Sequence, residues 1–264
     1  MDRLWTHPIS RKLSARSGVL VSRLEISLPK LLMIWVLAVS FASGLRVAWA
    51  TTPIAGGWPE LVNTLPYGLA VGAPVATLLF GLTLFRPGAV HPQPAFRFAR
   101  FGRWRRVDCV EARTLPLFGA SGFMASLLIG MLLNVPVRTM EFLTAIPALG
   151  GFPPAWFQVL YALMLADLVL LSCLYVFAFT MALRHVPLFP RFLALVWGID
   201  LLMQLSIAHV MGDVASLPPA VAHALHGMLE GNVKKALISI AIWLPYLLLS
   251  RRVNLTYRLR VPAA

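Results

Sequence analysis

Residues 155–181 read AWFQVLYALMLADLVLLSCLYVFAFTM, and Asp167 is the one charged residue in the run. A bilayer core about 30 Å thick is crossed by roughly 20 residues of helix, so this stretch is long enough to span. Inside hydrocarbon every unpaired backbone amide is costly, which makes such a run a helix. The stretch is apolar on all sides and lacks the alternation of a porin strand. Five more runs share this character: Leu31–Ala50, Tyr67–Phe85, Leu115–Asn134, Phe192–Met211 and Val233–Ser250. The sequence therefore predicts an all-α, polytopic bundle of six transmembrane helices. Composition agrees, because 59% of the 264 residues are hydrophobic, 12% are charged and the mean hydropathy is +0.78. A soluble domain would carry about twice that charge, and two cysteines exclude a disulfide scaffold.

Orientation follows from arginine and lysine in the short loops. Placing the start of the chain in the cytoplasm puts nineteen of the 23 basic residues on that side. The outer side then keeps only Arg46, Arg138, Lys234 and Lys235. Both termini are expected in the cytoplasm of a bacterial cell, with the +13 net charge concentrated on the inner face. The triplet Ala48-Trp49-Ala50 has the look of a cleavage site, yet the apolar run and the basic region before it are too long for a signal peptide. A retained signal-anchor helix is the expectation. Pro74 and Pro245 fall inside spans, where neighbouring helices satisfy the backbone groups they free.

This reading divides the chain into a basic N-terminal segment (1–30), a two-helix prefix (31–85), an arginine- and aromatic-rich cytoplasmic loop (86–114) and a four-helix core with a basic tail (115–264). In the first segment Leu13, Leu20, Leu24 and Leu28 recur at near-helical spacing, as in a helix lying on the membrane surface; a solvated basic tail fits equally. In the loop, Arg97, Arg100, Arg103, Trp104, Arg105 and Arg106 lie among phenylalanines. Each basic residue near an anionic leaflet contributes roughly 1 kcal/mol, so anionic phospholipids are the expected partner. A membrane protein partner or a second copy of the chain is a further expectation. Aromatic–basic interleaving also suits single-stranded nucleic acid, but spans on both sides favour lipid over nucleic acid.

Charged residues inside spans point to function by default. Asp167 and Asp200 stand near mid-depth on antiparallel neighbours, with Gln204 one turn from Asp200. Three readings are open: a proton or ion site, interhelical hydrogen bonds, or a carboxyl pair neutralised by a partner subunit. No lysine or arginine is expected at that depth, which favours protonated acids or an external counter-charge. Nearer the outer face, His209, His223, His226 and Glu230 have a spacing that permits a metal ion without requiring one. No cofactor is otherwise called for. Gly119, Gly122 and Gly130 would allow close helix packing. No nucleophile elbow, zinc-protease, haem-attachment or phosphate-loop motif occurs.

The chain closes on Ile242-Trp243-Leu244-Pro245-Tyr246, then Ser250-Arg251-Arg252-Val253 and Thr256. This resembles the closing signature of a family of bacterial four-helix membrane proteins, the domain of unknown function twenty-five sixty-nine. The turn from Arg184 to Arg191, with Phe189-Pro190, resembles that family's basic turn. The likeness covers roughly the C-terminal 145 residues and implies a four-helix membrane body without lending catalytic residues. The leading expectation is a non-enzymatic membrane component packing against a partner and anionic lipid. A small proton- or ion-coupled transporter using Asp167 and Asp200 is the alternative, and a metal or redox carrier the third.

Overall fold

A computed structural model describes residues 8–50, 58–94, 103–148, 153–214 and 216–263. The elements run α1 (Pro8–Ala48), α2 (Trp58–Leu84), β1 (Trp104–Arg106), α3 (Cys109–Thr114), α4 (Phe123–Ala145), α5 (Ala155–Leu183), α6 (Phe189–Gly212), α7 (Pro219–Leu249), α8 (Arg251–Arg258) and β2 (Arg260–Pro262). Six of the helices are long and apolar enough to cross a membrane. The chain is a multi-pass helical membrane protein.

Three element boundaries differ from the sequence expectation. The basic segment and the first span form one helix, α1, with Pro29 inside it. Among the described residues no separate surface helix precedes the span; Leu24 and Leu28 turn toward the bundle on the same helix that continues to Ala48. The third span is displaced toward the C-terminus: it is Phe123–Ala145 and not Leu115–Asn134. Asn134-Val135-Pro136 reads as an end, yet Pro136 is accommodated within the helix and the buried positions Val135, Thr139 and Phe142 continue its inward face. The sixth span begins at Pro219, a proline suited to the first helical position, and takes in the histidines expected in a loop. Gly119 and Gly122 have φ of 100° and 69° and form the turn before α4, a backbone conformation that glycine adopts freely. Gly130 faces open space, so it does not bring helices together as expected. The close approach lies elsewhere, at Gly81 of α2, where a Cβ would collide with the Thr180 hydroxyl of α5.

α2 and α4 pack against α5, and α6 lies between α5 and α7. One end of the bundle carries a cap assembled from separated stretches of chain. β1 pairs antiparallel with β2, setting Arg106 opposite Arg260. Asp108 caps α3 by accepting from the Val110 amide. α8 folds back beneath α7 and buries Arg252 through Tyr257. Its Asn254 side chain donates to the Leu248 and Ser250 carbonyls at 3.3 and 3.0 Å. The Leu248 carbonyl belongs to the last turn of α7, where a helix leaves carbonyls without an intrahelical partner, and the Ser250 carbonyl also accepts the Asn254 amide at 3.0 Å. Tyr257 Oη donates to the Ala182 carbonyl at 2.9 Å, and Arg252 donates to Ser121 Oγ at 2.5 Å. The closing motif of the sequence is therefore a plug that locks α7, the α4 turn and the end of α5 together.

Candidate functional site

Two apolar clusters fill the bundle. The first holds Met131, Val135, Leu171, Tyr175, Val196 and Trp197, on the side of the cap. The second holds Phe142, Met164, Leu168 and Ile207, toward the other end. Between them lies a buried polar layer of Arg138, Asp167, Asp200 and Gln204. Asp167 stands about 18 Å along α5 and Asp200 about 16 Å along α6, at 1.5 Å per residue. Both are thus well inside the spans.

Arg138 holds the layer together. Its Nη1 donates to Asp167 Oδ2 at 2.8 Å and its Nη2 to Asp200 Oδ1 at 2.5 Å. Its Nε donates to Asn134 Oδ1 at 2.9 Å. The remaining carboxylate oxygens are also taken: Tyr175 Oη donates to Asp200 Oδ2 at 2.8 Å, and Gln204 Nε2 to Asp167 Oδ1 at 2.7 Å. Buried charges survive only when paired and hydrogen-bonded, and here each carboxylate accepts from two donors. The expectation of no basic residue at depth is overturned. The counter-charge comes from within the chain, because α4 continues past Asn134 and carries Arg138 inward. Arg138 is not an outer-loop residue.

The network continues sideways into α7. Asn232 Nδ2 donates to Gln204 Oε1 at 3.4 Å. Lys235 Nζ donates to Asn232 Oδ1 at 3.2 Å and to Glu141 Oε1 at 2.5 Å. Asn134, Arg138 and Glu141 are spaced by four and three residues on α4, as are Asn232, Lys235 and Ser239 by three and four on α7. Residues so spaced share a helix face. The two stripes line a cleft of about 50 Å³ that reaches Tyr175 and Asp200, a volume suited to one or two waters. Sequence reading found Asp167, Asp200 and Gln204. It missed Arg138, Tyr175, Asn232, Lys235 and Glu141, although the stripe spacing on α4 and α7 was legible.

The other candidate residues stand apart from this layer. His209, His223, His226 and Glu230 are all exposed. His209 faces Asp213 at 3.9 Å and Glu230 pairs with Lys234 at 2.6 Å. Among the described residues no group of three or more His, Cys, Asp or Glu side chains converges, so the four do not form a metal centre there. Arg97 and Arg100 lie outside the described residues. Arg103, Arg105 and Arg106 are exposed and Trp104 is half-buried, at or within β1. Arg105 pairs with Glu111 at 3.1 Å, an exposed contact that contributes at most about 1 kcal/mol.

No family model, curated protein or solved structure matches the chain.

Proposed function

We propose that this protein is a small proton- or ion-coupled membrane carrier whose coupling centre is the Arg138–Asp167–Asp200 layer. The observation that carries the reading is a charge imbalance: two carboxylates face one guanidinium in a buried site. The nearby Lys235 and Glu141 neutralise each other and leave that imbalance unchanged. One proton or one monovalent cation makes the layer neutral, and in a low-dielectric interior a neutral layer costs far less than a charged one.

The neighbours of each carboxyl support one of the two as the place where the proton is exchanged. A protonated carboxyl becomes a donor, so one of its neighbours must turn from donor to acceptor. The Arg138 guanidinium cannot do so. The Gln204 amide can do so beside Asp167 only by turning over, which would set its NH2 group against the Asn232 donor. The Tyr175 hydroxyl can, by rotating to accept from a protonated Asp200 Oδ2. Asp200 also lines the cleft. On this reading Asp200, which the cleft reaches, is the carboxyl that exchanges the proton, with Arg138 positioning both carboxylates.

Proteoliposomes loaded with a pH-sensitive dye and driven by a potassium diffusion potential test this. Parent protein carries protons, and Asp200→Asn and Asp167→Asn lower the flux at least tenfold. Tyr175→Phe keeps flux but shifts its pH dependence. No flux above empty vesicles, or flux unchanged by both Asn substitutions, refutes the reading.

A second reading is an accessory component lying against a membrane partner and anionic lipid. It is favoured by α1, whose most apolar stretch is 11% buried, the lowest of the six spans. Such a component co-purifies with a partner in mild detergent.

A further inference from the structure

The cap bears an open cavity of about 370 Å³ between the β1–β2 ribbon, the start of α6 and the end of α8. That volume falls within the range of small-molecule sites. Four arginines line it from four elements: Arg106 of β1, Arg191 in the first turn of α6, Arg258 at the end of α8 and Arg260 of β2. No acidic residue is among the described residues lining it.

Arg106 and Arg260 are direct partners across an antiparallel pair, where like charges destabilise. Burial and the neighbouring charges of Arg260 and Arg191 lower Arg258 to about 10, so the guanidinium groups feel one another. The fold nonetheless holds them in place. Arg258 is oriented by donating to Asn254 Oδ1 at 3.0 Å and to the Leu248 carbonyl at 3.3 Å. The ribbon is extended by the Ala263 amide donating to the Arg103 carbonyl at 2.9 Å, and the Val107 amide donates to the Leu259 carbonyl at 3.1 Å. Forked guanidinium groups match phosphate oxygens two at a time. A ligand with at least two negative charges on phosphate relieves the mutual repulsion.

We propose that this cavity is a binding site for a phosphomonoester or diphosphate group, independent of the buried polar layer. Arg191 sits where α6 enters the span, so the group can arrive on a lipid of the adjoining leaflet or from solution. The site is the junction of an internal ribbon and the C-terminal tail, so occupancy also ties those segments to α6.

The full chain in mild detergent is titrated with inorganic pyrophosphate, and separately with short-chain phosphatidic acid against short-chain phosphatidylcholine. Thermal unfolding is followed by tryptophan fluorescence, because a ligand that binds only the folded state raises the midpoint with concentration. The expected result is a concentration-dependent rise with at least one phosphate probe and none with phosphatidylcholine. Arg106→Gln/Arg260→Gln weakens binding at least tenfold without lowering the ligand-free midpoint. Arg105→Gln, an exposed arginine beside the cavity but not lining it, leaves binding unchanged. A rise with phosphatidic acid alone assigns the site to a lipid headgroup, and a rise with pyrophosphate as well assigns it to the phosphate group itself. No rise with either probe overturns the proposal, as does equal weakening by Arg105→Gln, which marks nonspecific surface charge.

Discussion

Removing the guanidinium of Arg138 leaves two carboxylates facing each other between apolar clusters, while the nearby Lys235 is paired with Glu141. Breaking a buried pair by deleting one partner typically costs about 3–5 kcal/mol. Arg138→Met should therefore lower the unfolding midpoint of detergent-solubilised protein sharply. The triple variant Arg138→Met/Asp167→Asn/Asp200→Asn removes every charge in the layer and should recover most of that loss, since a neutral layer no longer needs a counter-ion. If Arg138→Met alone unfolds like the parent, the bridge between α5 and α6 is not formed. Arg138 also shows where sequence reading stops. The two aspartates were legible as isolated charges in apolar runs. Arg138 was not, because Asn134 and Pro136 just before it look like the end of a helix, and only its two acceptors make an arginine tolerable there.

At the scale of elements, the hinge between α5 and α6 is built on His185. Its φ is 56°, its amide donates to the Ala182 carbonyl and the Val186 amide donates to the Met181 carbonyl. That is the paired closure of a helix C-terminus with a left-handed residue following the cap. The ring packs edge-on against Phe118 and also faces Tyr257. Burial, reinforced by the charge of Arg113, lowers His185 from its ordinary 6.5 to about 4. The folded protein therefore keeps this ring neutral while the unfolded chain protonates it. Stability from this group is whole above about pH 6.5, falls as pH drops, and levels off below about 4. The full loss reaches about 3 kcal/mol. His185→Asn tolerates the left-handed backbone and cannot titrate, so the difference in midpoint between parent and variant should shrink from pH 7 to pH 4. A constant difference across that range would mean the ring is not buried. The spans themselves were legible from apolar length alone, most closely α5 and α6. The cap was not, because α8 and the ribbon draw on short segments whose pairing is fixed by distant partners such as Ala182 and Ser121.

For the whole molecule, the decisive question is which way the cap faces, and two native features make it answerable. Cys109 begins α3 within the cap and is half-buried, while Cys173 lies inside α5. Trp49 closes α1 near the opposite end and is 74% exposed. Basic residues flanking spans are retained on the cytoplasmic side, and the arginines of the cap and its ribbon argue for that placement. In a Cys173→Ala background, a membrane-impermeant maleimide should label Cys109 only after the cells are opened. With Cys109→Ala and Trp49→Cys added to that background, it should label intact cells. The opposite pattern would invert the molecule. The consequence reaches both sites. α4 runs from the cap at Phe123 to the far end at Ala145, so Glu141, one wall of the cleft, lies in the half remote from the cap. With the cap inside, Glu141 lies toward the outer face while the arginine-lined cavity faces the cytoplasmic leaflet. With the cap outside, Glu141 would lie toward the inner face, the arginine-lined cavity would face the exterior, and the charge asymmetry of the loops would have no account.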